Sequence, residues 1–257
     1  MTICTSDHQY RRRWTRNELI RAFNLYCQTP FGKIHNRNPE IISLAALIDR
    51  SPSAVSWKLA NFARLDPTLA QRNIKGASHG SKEDELIWKE FESDWESLAF
   101  ESERLRLGDD GLAALASKQE FPEGRNRESL VRVRVNQDFF RRAVLNAYDS
   151  ACCLTGIRVP ELLCASHIVP WSIDTTNRTN PSNGLCLNAL HDRAFDRGLI
   201  TISHDFKVVV SSKLSKLDDP NLKMMLADFD GKPIFVPRHF VPRPEFIEHH
   251  NTQIFQR

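Results

Sequence analysis

Two histidines and an asparagine carry the strongest chemical signal in the chain. His167, Asn183 and His191 are separated by fifteen and seven residues. Hydrolysis of a phosphodiester needs a base to deprotonate water and positive charge to offset the charge that builds on phosphorus. Histidine titrates nearest neutral pH, which suits His167 to the first task. A divalent cation such as Mg²⁺ or Mn²⁺ can serve the second. His191 offers that cation an imidazole and the adjacent Asp192 a carboxylate. Asn183 has no charge, but its amide both donates and accepts. It can bridge backbone groups, hold His167 in orientation and so order the attacking water.

The elements around these residues have the right order to bring them together. Leu162 to Val169 is a short apolar run containing His167 and reads as a strand. A polar loop closes at Pro181-Ser182-Asn183-Gly184, which is turn chemistry. Leu185 to Leu187 reads as a second strand. Asn188 then caps a helix that runs to Arg197, with Gly198 at its end. Strand, loop, strand and helix make a hairpin on which the three side chains converge.

The flanking words extend the pattern. They are Gln137-Asp138-Phe139-Phe140-Arg141, Cys152-x-x-Thr155-Gly156, Ala165-Ser166-His167-Ile168-Val169-Pro170-Trp171, Asn183-Gly184-Leu185 and His191-Asp192-Arg193-Ala194-Phe195-Asp196-Arg197-Gly198. In this order they resemble the HNH endonuclease family, with its ββα-metal fold, and a restriction-endonuclease-like branch of it. The resemblance covers roughly residues 130 to 205. It implies that His167 is the general base, Asn183 the asparagine that fixes the loop, and His191 a metal ligand. The chain departs from the family at two places. Many members carry His or Asp before the base, where this chain has Ser166, so the second protein ligand falls to Asp192, where many relatives have a second His. Many members also hold a zinc with two Cys-x-x-Cys pairs. Here Thr155 takes one of those positions and no second pair exists, so no structural zinc is expected.

Length and charge frame the rest. The 257 residues can hold two domains, and no apolar run is long enough to span a bilayer. The six cysteines show no disulfide or zinc-ribbon pattern, which fits a cytoplasmic protein with free thiols; adjacent Cys152 and Cys153 read as one core and one surface residue. Net charge is +3, unevenly spread: +7 over residues 1–75, −7 over 76–112 and +3 over 113–257. A basic head and a mildly basic C-terminal part suit a polyanionic partner, which is DNA on this reading.

The expected organisation is α+β: a helical domain over 1–75, an acidic helical linker over 76–128, and a nuclease domain over 129–257. In the head, Thr15 and Glu18 form a capping box, and Ser53 is the expected cap of a helix over Ala54 to Phe62. The phrase LAALIDRSPSAVSWKLANF resembles a helix-turn-helix, whose second helix would offer Ser53, Ser56, Trp57, Lys58 and Asn61 to a DNA groove. Nearer the site, Arg132, Arg134, Arg141 and Arg142 are candidate phosphate contacts. In the tail, Leu199 to Val210 reads as a hairpin that extends the catalytic sheet. His249 and His250 read as surface residues.

The resulting expectation is a DNA endonuclease with one divalent ion, in restriction or phage defence. One such site cuts one strand, so a double-strand break requires two encounters or a homodimer. A second reading stays open: a DNA-binding regulator that keeps a decayed nuclease fold.

Overall fold

The computed structural model describes residues 12–71, 80–117, 127–216 and 219–257. Met1–Val135 and Asn136–Arg257 form two compact units. Among the described residues no helix is long and apolar enough to cross a membrane.

The first unit is helical. The Thr15 side chain accepts from the Glu18 backbone N–H while Glu18 reaches back to Thr15, so the capping box starts α1 (Arg16–Cys27) as the sequence predicts. Helix α2 (Pro39–Leu47) is capped by Asn38. Helix α3 (Pro52–Leu65) starts two residues earlier than expected: its cap is Ser51, whose side chain accepts from Ala54 N–H, and Pro52 occupies the first helical position. A short α4 (Pro67–Gln71) follows.

The acidic segment expected as a separate linker belongs to this same unit. Helix α5 (Lys82–Phe91) and α6 (Trp95–Ser117, broken at Gly108) pack on α1, and α5 also packs on α3. Trp88 and Trp95 bring their rings to 5.1 and 6.0 Å from Phe23, which also meets Phe62 at 4.9 Å. The apolar stripe of the acidic helices thus joins an aromatic core, and their charge faces outward except at Asp84, which is buried. Helix α7 (Arg127–Ala147) follows and contributes residues to each unit. Residues 118–126, read as linker from sequence, lie outside the described residues.

The second unit contains the predicted hairpin and helix. Strand β1 (Leu163–His167) pairs antiparallel with β2 (Gly184–Asn188), and α8 (Ala189–Asp196) packs on both. His167 lies opposite Gly184 in the ladder. A Cβ at Gly184 would press into Val144 and stand 2.9 Å from Phe140 Cζ, so only glycine lets α7 sit this close to the hairpin. Gly198, at φ 64°, ends α8 against the Ile254 carbonyl, where a side chain would collide.

The hairpin β3 (Ile200–Ile202) and β4 (Val208–Val210) forms as expected but makes its own two-stranded sheet and does not extend β1–β2. It packs through β3 on α8 and on the last helix, labelled α11 (Pro244–Gln253) after the short α9 (Ser212–Ser215) and α10 (Pro220–Met225). His250, expected on the surface, is buried there. It stacks on Phe195 at 3.7 Å, donates from Nε2 to the Phe195 carbonyl and meets Thr201 Oγ1 at 2.7 Å. Cys152 and Cys153 are both buried, against the expectation of one in the core and one outside.

Candidate active site

Asn188 is the junction on which the site is built. Its Oδ1 accepts from the Leu190 and His191 backbone N–H groups and so starts α8. Its Nδ2 donates to Thr155 Oγ1 at 3.3 Å, with Cys152 Sγ at 3.7 Å. The Cys152–Gly156 turn is also tied to β2 by the bond from Cys153 N–H to the Cys186 carbonyl. Hydrogen bonds therefore fix the turn to the hairpin.

His167 lies at the end of β1 in an open cleft of about 650 Å³. Its ring stacks on Phe140 at 3.8 Å, 9° from parallel, and meets Trp171 edge-on at 5.5 Å. Its Nε2 is 2.8 Å from the Arg178 carbonyl, which can only accept. Nε2 therefore carries the proton, and Nδ1 is the ring nitrogen free to take one. Burial lowers the pKa of His167; the Arg178 carbonyl and the Asp192 charge pull it part of the way back. The ring is neutral at neutral pH, as a base must be.

Asn183 has no accessible surface. Its Oδ1 accepts from Val169 N–H at 2.8 Å, and its Nδ2 donates to the carbonyls of Val169 and Asn177. The amide is consumed in joining the loop to the residues after His167. It bridges backbone groups across the loop as expected, and it is absent from the cleft lining.

His191 departs further from expectation. It is 3% exposed, its Nδ1 donates to Asn188 Oδ1 at 3.0 Å, and its ring meets Phe229 edge-on. Burial lowers its pKa, against a smaller raising contact with the Met225 backbone. His191 is absent from the cleft lining, whereas its neighbour Asp192 is present. One residue is a 100° turn on a helix. Asp192 therefore faces the cleft, and His191 faces the packing behind it.

The same arithmetic brings in residues that sequence reading passed over. Asp196 and Arg197 lie four positions after Asp192 and Arg193, and all four line the cleft with Arg141, Cys164 and Ser166. Burial raises the Asp196 carboxyl, and the charge of Asp192 raises it further, while Arg193 and Arg197 oppose the shift. Burial and Asp192 likewise raise the Cys164 thiol. Ser166 is 3% exposed, and its Oγ has no hydrogen-bond partner. The signal available in sequence was the i, i+4 repeat Asp-Arg-x-x-Asp-Arg.

The other predicted contacts are divided. Arg141 lines the cleft and reaches the Pro160 carbonyl at 3.4 Å. Arg142 is exposed on α7 outside the lining. Arg132 lies over the Phe100 ring at 4.0 Å, and Arg134 is exposed; both belong to the first unit. In α3, Trp57 is 67% exposed, Ser53 is exposed and Ser56 half-buried. Lys58 and Asn61 are not offered to a groove: both hydrogen-bond Asp84 of α5, at 2.6 and 3.2 Å.

Residues 152–203 match the family model of an HNH endonuclease. The matched segment holds the turn, both strands of the hairpin, α8 and β3. That stretch of the second unit is thus similar to an HNH endonuclease domain. No curated protein matches the chain.

Proposed function

We propose that this protein is a metal-dependent DNA endonuclease in which His167 is the general base. The observation that carries the reading is the tautomer of His167. With Nε2–H held by the Arg178 carbonyl, Nδ1 can accept a proton in a cleft that also presents Arg141, Arg193 and Arg197. Three guanidiniums suit a phosphodiester.

The donor set fits a hard cation. Asp192 and Asp196 supply carboxylate oxygens from one helix face, and Ser166 Oγ is a buried oxygen without a protein partner. Among the described residues no group of three or more His, Cys, Asp or Glu side chains is arranged as a complete metal cage. Mg²⁺ keeps several waters and binds through one or two carboxylates together with substrate phosphate, so two carboxylates suffice. Asp192 and Asp196 would hold the ion, in place of the pair His191 and Asp192 expected from sequence. A bound ion would supply charge neutralisation at the scissile phosphate and the leaving oxygen. His167 takes the proton of the attacking water at Nδ1, the Phe140 stack keeps its ring in plane, and the arginines bind the strand.

The first unit is proposed to bring the nuclease to DNA through α2 and α3, with Ser53, Ser56 and Trp57 as the surface available. A role in restriction or phage defence accords with the resemblance of the motifs. The test is nicking of supercoiled plasmid by the full chain with Mg²⁺ or Mn²⁺, with chelator, and with His167→Ala. Nicking should require the metal and fall by about 10²- to 10⁴-fold in the variant. Undiminished nicking by His167→Ala removes the base assignment. Binding without nicking in any metal favours a regulator with a decayed nuclease fold.

A further inference from the structure

The loop between β1 and β2 contains an acidic residue and three asparagines at every third position: Asp174, Asn177, Asn180 and Asn183. Each is hydrogen-bonded to the next. Asp174 Oδ1 accepts from the backbone N–H of Thr176 and of Asn177, both at 3.0 Å, and its Oδ2 accepts from Asn177 Nδ2 at 2.8 Å. Asn177 Oδ1 accepts from Asn180 Nδ2 at 3.1 Å, and the Asn177 carbonyl accepts from Asn180 N–H and Asn183 Nδ2. Asn180 Oδ1 accepts from Ser182 N–H, and the Asn180 carbonyl from Asn183 N–H. Asn183 then closes on Val169.

Arg178 lies inside this ladder, between Asn177 and Asn180. The Asn177 carbonyl is held by Asn180 N–H and Asn183 Nδ2, and the next carbonyl along the chain, that of Arg178, receives His167 Nε2–H. An isolated polar loop would leave that carbonyl free to rotate, and either imidazole nitrogen could then carry the proton. The Arg178 side chain adds a brace, with its guanidinium over Trp171 at 5.2 Å, the ring whose edge meets His167. Asp174 is the only carboxylate among the four, and it sits at the open end of the ladder, half-exposed and away from the cleft lining.

We propose that Asp174 is a positioning residue for the base: through Asn177, Asn180 and Asn183 it holds the Arg178 carbonyl where it fixes the Nε2–H form of His167. The inference rests on the reading of His167 as a base, but the ladder is a physical claim about the loop and has its own readout. Burial would raise the Asp174 carboxyl; the bonds from Asn177 and Thr176, with the charge of His249, outweigh that and hold it below the usual carboxylate range. Asp174 is thus ionised through the neutral range and able to hold three donors at once.

The experiment uses the full chain labelled with ¹⁵N-histidine. The two ring-nitrogen shifts of His167, assigned by their loss in His167→Gln, show which nitrogen carries the proton. Wild type should show Nε2–H. Asp174→Ala should show a mixture with Nδ1–H and lower kcat roughly 10- to 100-fold, with KM within about twofold, because misplacement of the base costs the chemical step and leaves strand binding intact. Asp174→Asn retains Oδ1 for the two backbone donors but sets an amide NH2 against Asn177 Nδ2, and should fall between wild type and Asp174→Ala in both tautomer and kcat. Thr175→Ala, on an exposed side chain of the same loop, should change neither. Where Asp174→Ala fails to fold, Asn177→Ala breaks the next rung and gives the same readout. An unchanged tautomer in a folded Asp174→Ala or Asn177→Ala protein overturns the proposal whatever the activity. A shifted tautomer in a protein whose wild type cuts no DNA supports the ladder and removes the nuclease reading alone.

Discussion

Asp84 in the first unit and Asp192 in the second are both carboxylates on helices, and the chain treats them oppositely. Asp84 has no accessible surface; Lys58 meets it at 2.6 Å, Asn61 at 3.2 Å, and Ser81 N–H caps it at 3.0 Å. Glu18 is handled in the same way by the buried guanidinium of Arg50, with Arg12 beside it. Asp192 shares its cleft with a second carboxylate four residues on, and the second is raised by burial and by the first. The first unit spends its charges on itself. The second holds like charges together beside arginines and a neutral histidine, an arrangement that raises the free energy of the empty cleft and lowers that of a cleft containing a cation and a phosphate.

The largest effect that separates the two is expected at Lys58. Lys58→Met leaves Asp84 buried without a counter-charge and should cost about 3–5 kcal/mol in urea unfolding of the first unit. The double variant Lys58→Met/Asp84→Leu should regain most of it, since an apolar pair can replace a buried ion pair. Asp192→Asn, in contrast, should leave stability almost unchanged and abolish metal-dependent nicking. A Lys58→Met protein of wild-type stability but weakened DNA binding would restore that lysine to the groove-facing set.

The second effect is a pH dependence within the second unit. Burial lowers the pKa of His250 to about 4, with the Phe195 carbonyl opposing and His249 adding a little. Below pH 6.5 the unfolded chain takes a proton that the folded chain refuses. The stability due to a neutral His250 is therefore present above pH 6.5 and is lost as pH falls toward 4, by about 3 kcal/mol across that window. His191 and His167 shift in the same direction for the same first reason. Urea midpoints of the second unit between pH 7 and 4 should fall steeply, and His250→Gln should flatten the slope. A slope unchanged by that substitution would assign the acid sensitivity to the other two rings.

These contrasts mark what could be read from residues alone. The hairpin, α8 and its Asn188 cap were legible because periodicity, turn chemistry and capping all agreed there. The capping box at Thr15 was legible for the same reason. The placement of Lys58 and Asn61 was not: a helix pattern shows which side is polar, and only packing shows that α5 covers that side with Asp84. His191 and Asp192 are adjacent in the sequence, and only the register of α8 on the sheet decides which of them enters the cleft. The aromatic clamp on His167 joins residues on α7, β1 and the loop, so no local pattern could announce it.

The smallest effect tests the open side of the comparison. Arg193 and Arg197 stand one turn apart on α8 and flank the two carboxylates. If they contact phosphate, Arg193→Ala and Arg197→Ala should each weaken DNA binding about equally for all sequences and lower the slope of log K against log salt by about 1. If their work is only to offset Asp192 and Asp196, the salt slope should stay the same and the metal requirement should tighten, because removing a competing positive charge favours a cation. Measuring binding over a range of salt, with and without Mg²⁺, separates the two. In the first unit Arg64→Ala, which breaks a surface pair with Glu85, should move neither quantity, since a charge already spent on a neighbour has none left for the strand.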